Sequence, residues 1–136
     1  MSAHVDQFCD KLRDRLDTLE ERVQSAKSRI RSLPERGEDA VRAKFEESRN
    51  DLQARKERFE QSAANMKARA QQKVAATKEE ISQWKAQREV RKLNARADRA
   101  EDYAADAIDF AATAIDEADA AILEAVVARL DADAAQ

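Results

Sequence analysis

One histidine, one cysteine and one tryptophan are the only residues of their kinds in this chain. His4 has no Glu-x-x-His companion of the sort that carboxylate-bridged di-iron bundles draw from their helices. It reads as an exposed residue near a terminus. Cys9 cannot form an intramolecular disulfide, so packing is the simplest reading, with a bridge between chains or a redox role as the others. Trp84 falls on an apolar stripe and reads as core. The carboxylates are many, but no Asp-x-Asp-x-Asp-Gly loop organises them for calcium. They recur on a solvent face instead. There is no Gly-rich phosphate loop and no nucleophile spaced with a base. The expectation is a protein that is not an enzyme, with no catalytic residues, cofactor or metal.

Charge is the stronger signal. Residues 67–99 hold ten basic and four acidic side chains, and residues 100–136 hold one basic and ten acidic. A basic segment followed by an acidic one predicts that the two lie against each other. The run Lys67, Arg69, Lys73, Lys78, Lys85, Arg88, Arg91, Lys92, Arg96 and Arg99 offers phosphate-neutralising charge. With one aromatic among these cations and an acidic competitor next door, nucleic acid is not the expected partner.

Something must position these charges, and composition says it is helix. The 136 residues include one Gly and one Pro, 39% are charged and 4% aromatic. Sheets and compact mixed folds need turn residues that this chain lacks. The apolar residues are periodic, which argues against disorder. Few aromatics mean narrow helical seams. No stretch approaches the about 20 apolar residues of a membrane span. The first residues, MSAHVDQFCDKLRDRLD, show no secretory apolar run. With a lone cysteine, this makes the cytoplasm the expected location.

In the first half, Val5, Cys9, Leu12, Leu16, Leu19, Val23, Ala26, Ile30 and Leu33 alternate in steps of four and three. That is an a/d heptad stripe, which needs a partner helix. It stops where the only Pro and the only Gly stand, Pro34 and Gly37, and these predict a turn. A second stripe follows: Val41, Phe45, Ser48, Leu52, Arg55, Phe59, Ser62, Met66. A turn centred between residues 35 and 36 sets Ile30 against Val41, Ala26 against Phe45, Leu19 against Leu52 and Leu12 against Phe59. Residues 1–66 are therefore expected to form an antiparallel helical hairpin.

In the second half, residues 105–132 divide into sevens, ADAIDFA-ATAIDEA-DAAILEA-VVARLDA. Inward positions read Ala104, Ala111, Ala118, Ala125 on one line and Ile108, Ile115, Ile122 on another. Alanine at repeated inward positions lets a neighbouring helix approach to the short end of the 8–10 Å range. This resembles the close-packed alanine coiled coil, a packing motif rather than a family. A facing stripe runs through Ala70, Val74, Thr77, Ile81 and Trp84 and predicts the pairs Trp84–Ile108, Ile81–Ala111, Thr77–Ile115, Val74–Ala118 and Ala70–Ile122. The midpoint falls at residues 94–98. The chain either folds back there or runs on as helix and pairs with a second copy. Residues 67–136 are thus expected to form one basic-then-acidic helical unit with an Ala-rich coiled coil.

The fold expected is all-α: an elongated antiparallel coiled coil or helical bundle with an N-terminal hairpin and an Ala-rich, close-packed C-terminal helix. The function expected is that of a self-associating structural or scaffold protein. Its expected partners are further copies of the chain, as a homodimer or higher oligomer, or another helical protein. One alternative is an amphipathic coat on a lipid or polymer granule surface. In composition the chain resembles the exchangeable apolipoproteins and the phasins of storage granules, although its stripes are narrow and poor in bulky anchors. A further alternative is nucleic-acid binding through residues 67–99.

Overall fold

The computed structural model of the chain describes residues 2–72 and 76–136, without the side chains of Asn50, Leu52 and Gln72. Among the described residues the protein is an all-α bundle of four α-helices: α1 (Ala3–Ser32), α2 (Glu38–Gln72), α3 (Lys78–Ala86) and α4 (Val90–Ala134). At 1.5 Å per residue α4 is about 67 Å long. It is the element on which the other three pack.

The first turn lies where Pro34 and Gly37 predict it. Leu33–Glu35 tighten into a 3-10 turn, and the Arg36 N–H donates to the Leu33 carbonyl at 3.2 Å. Gly37 takes the left-handed conformation at φ 61°. Its carbonyl accepts from the Val41 N–H at 3.3 Å, which starts α2. Val41 is the most buried apolar side chain among the described residues.

The two helices so joined are antiparallel, but they do not pack on each other along their length. Arg15, Arg22 and Arg29 of α1 meet Asp109, Asp116 and Asp119 of α4 in rising order, so α1 is parallel to α4. Arg42, Phe59 and Arg69 of α2 meet Asp131, Phe110 and Asp106 in falling order, so α2 is antiparallel to it. The pairing of Ala26 with Phe45 and of Leu12 with Phe59 along the hairpin is therefore corrected; the Ile30–Val41 pair beside the turn is not among those overturned. Phe59 stacks on Phe110 of α4 instead, with ring centroids 5.7 Å apart. The physical reason lies in both partners. The α2 stripe carries Ser48, Arg55 and Ser62, which make a poor seam for α1. The small residues of α4 admit two neighbours at once. The Leu19–Leu52 pair lies outside the described side chains.

The second half departs further from one long unit. No helix boundary falls at 66/67, since α2 continues to Gln72. Thr77 then caps α3: its hydroxyl accepts from the Glu80 N–H at 3.1 Å and donates to Glu80 Oε1 at 3.2 Å. This helix ends at Gln87 and Arg88. Glu89 N–H reaches back to the Trp84 carbonyl at 2.9 Å and Arg88 N–H to the Lys85 carbonyl at 3.2 Å. That is a Schellman closure with Arg88 in the left-handed position at φ 53°. The helix break therefore lies at 87–89, while Asn94–Asp98 are continuous helix. A nine-residue helix ending there meets α4 only beside the turn, far short of Ile108. Within one chain the pairs Trp84–Ile108, Ile81–Ala111 and Thr77–Ile115 are thereby replaced. Ala70 belongs to α2, antiparallel to α4 beside the Arg69–Asp106 pair, so it does not face Ile122. The Val74–Ala118 pair lies outside the described residues.

Candidate interaction surfaces

The chemistry-bearing residues do not converge. His4 is exposed near the start of α1, Cys9 is exposed on α1, and Trp84 is half-buried on α3. Among the described residues no group of three His, Cys, Asp or Glu side chains is placed to hold a metal ion. No helix there is long and apolar enough to cross a membrane.

The acidic residues of α4 are matched by arginines of α1 and α2 rather than by the basic segment 67–99. Arg15 Nη1 lies 2.6 Å from Asp109, Arg22 Nη1 2.9 Å from Asp116, and Arg29 Nη2 2.5 Å from Asp119. Arg42 bridges Asp131 and Glu38, and these two carboxylates, Asp131 foremost, hold its guanidinium proton more firmly than usual. Among the described residues of the basic segment, Arg69 meets an acid of α4 beyond residue 100, Asp106. A readable signal existed: Arg15, Arg22, Arg29 and Arg36 repeat every seven residues beside the apolar stripe. Such a line marks the edge of a helix contact, and its partner is acidic.

The alanine stripe is turned away from the contacts expected of it. The buried side chains of α4 are Ala105, Ala120 and Val127. On a wheel of about 100° per residue these share one face, roughly 100° around from Ile108, Ile115 and Ile122. Those isoleucines, with Ala104 and Ala111, are half-buried, and Ala118 and Ala125 are exposed. Ile81 is half-buried on α3. The sequence could not separate these faces, because α4 carries alanine at inward and outward positions alike.

Two open surfaces result. Between α1 and α2, floored by α4, runs a groove of about 920 Å³. Ile30, Leu33, Ser48, Arg55, Ala120 and Leu123 line it among charged residues of both signs. On the other side of α1 an apolar edge faces outward. Its residues are Val5, Cys9 and Leu16, and Leu16 is 49% exposed. The inward line of α1 is Phe8, Leu12, Leu19, Val23 and Ala26, all half-buried. Thus α4 covers one flank of the α1 stripe and leaves the other open.

Comparison with known protein families, with characterised proteins and with solved structures finds no match to this chain.

Proposed function

We propose that the protein is a self-associating helical scaffold of the cytoplasm, with no catalytic role, joining copies of itself through coiled-coil contacts. One observation carries this reading: the fold of a single chain leaves its apolar periodicity half used. The chain exposes 10404 Å² of surface, against about 7100 Å² for a compact monomer of 15.3 kDa. Only Val41, Ala105, Ala120 and Val127 are buried hydrophobic residues among those described. A strict 4-3 stripe that is open on one flank fits a helix that gains a further neighbour.

The other readings draw less support. A surface coat needs a broad face of bulky anchors, whereas the exposed large hydrophobic residues are few and scattered: Val5, Leu16, Ile30 and Val90. The basic segment 67–99 is interleaved with Glu79, Glu80, Glu89 and Asp98, and its one aromatic, Trp84, is half-buried. Sedimentation equilibrium of the full chain in buffer, run beside flotation with anionic vesicles and titration with duplex DNA, tests the reading. A stable oligomer that neither floats nor binds DNA at physiological salt supports the scaffold. A chain that stays monomeric at high concentration overturns it.

A further inference from the structure

We infer that a second copy of this chain docks antiparallel on the outward edge of α1, about a two-fold axis beside Leu16. The inference rests on the self-association reading and names the surface that performs it.

The edge is built from two lines of residues at heptad spacing. Cys9 and Leu16 form the apolar line, with Val5 before it and the half-buried Val23 at its margin after it. Val5 and Leu16 are among the exposed large hydrophobic residues, and Cys9 is exposed as well. Beside this line, on the flank away from α4, stand Asp6, Arg13, Glu20 and Lys27, all exposed. Their signs run minus, plus, minus, plus.

That order decides both the partner and its direction. If two copies lie antiparallel with Leu16 beside Leu16 of the second copy, Asp6 comes level with Lys27 and Arg13 with Glu20. Symmetry repeats both pairs, so four opposite-sign contacts flank the apolar line. Cys9 then comes level with Val23, small against medium. A parallel arrangement about a two-fold along the helix axes places the two charged lines on opposite sides of the contact, so none of the four charges meets its opposite. The only ion pair competing within α1 is loose: Arg13 lies 3.7 Å from Asp10, and both are 72% exposed.

The opposite flank of α1 is already committed. Arg15, Arg22 and Arg29 point to the aspartates of α4, on the side where the groove and α2 lie. A step of about 100° per residue turns Cys9 and Leu16 to the other side of α1. The same construction on the parallel α4 turns Ile108, Ile115 and Ile122 to that side as well. A helix laid against Leu16 therefore meets a shallow valley with an isoleucine wall, not an isolated ridge.

The native cysteine makes the test direct. Antiparallel docking about Leu16 separates Cys9 from Cys9 of the second copy by about 21 Å along the helix axis, from 1.5 Å per residue. Nitroxide labels on Cys9 of the full chain should report one distance near that value, and oxidation should give no disulfide. Sedimentation should show Leu16→Glu weakening the dimer at least about tenfold, since it sets a charge at the apolar centre, with helicity unchanged. Arg13→Glu should weaken it too, and Arg13→Glu with Glu20→Arg should restore it, a rescue that general apolar stickiness would not give. A short Cys9–Cys9 distance, or a dimer indifferent to both Leu16→Glu and the charge swap, overturns this interface while leaving self-association standing. A monomeric wild type overturns both.

Discussion

The guanidinium of Arg15 lies 2.6 Å from Asp109 and reaches the Ala105 carbonyl of the preceding turn at 3.4 Å, so one side chain spans two turns of α4. Seven residues on, Arg22 repeats the carboxylate contact with Asp116. The repeat fixes α1 parallel to α4 and sets its axial register.

Register is not the same as stability. Asp109 is 61% exposed, and exposed ion pairs contribute little, about 0–1 kcal/mol. A double-mutant cycle with Arg15→Ala and Asp109→Ala should return a coupling of about 0.5 kcal/mol that shrinks in high salt. Arg15→Asp should cost more, because it sets like charges together where α1 meets α4. Chemical denaturation at two salt concentrations measures both. A coupling that does not respond to salt would show that the Ala105 contact, not the charge, carries the interaction.

Gly37 supplies the only described glycine conformation, at φ 61°, with nothing within 4 Å of the place a Cβ would occupy. The cost of Gly37→Ala is therefore conformational, about 1 kcal/mol. Thermal unfolding should show that loss with helicity retained. Gly37→Asn should cost less, because Asn tolerates the left-handed region better.

Arg88 presents the opposite case. It holds φ 53° without being glycine, at the residue that closes α3. Arg88→Gly should stabilise the chain by about 0.5–1 kcal/mol by removing that penalty. Arg88→Val should destabilise it, since a branched Cβ fits the left-handed region worst. A loss of stability on Arg88→Gly would mean that the side chain makes a contact outweighing the backbone gain.

These two turns show what the sequence could and could not reveal. The first was legible because Pro34 and Gly37 mark it by residue type. The second was not, because an arginine fills a glycine's place, and hydrogen bonds to Trp84 and Lys85 carbonyls close it. The start of α3 was legible in Thr77-Lys78-Glu79-Glu80, a capping sequence that the 4-3 spacing through Thr77 and Ile81 overshadowed. Stripes reveal that a helix needs a neighbour, but not which neighbour. Leu12 and Phe59 were each read as inward, and each faces inward, onto α4 rather than onto each other. A chain in which alanine occupies several faces of one helix leaves that choice to three-dimensional packing.

The alanines of α4 allow that choice to be tested two residues apart. Ala120 is 6% exposed in the face toward α1 and α2, while Ala118 is exposed on the stripe expected to be the seam. Ala120→Leu should overpack its contacts and cost about 1–3 kcal/mol. Ala118→Leu should change the stability of the single-chain fold by no more than about 0.5 kcal/mol, as surface substitutions do. Ala105→Leu should behave like Ala120→Leu, and Ala125→Leu like Ala118→Leu. Denaturation at low protein concentration keeps association out of the comparison, and the same variants at high concentration then report on it. If Ala118→Leu proves as costly as Ala120→Leu at low concentration, the stripe through Ala111, Ala118 and Ala125 is packed within the chain, and the face of α4 assigned here to α1 and α2 is the wrong one.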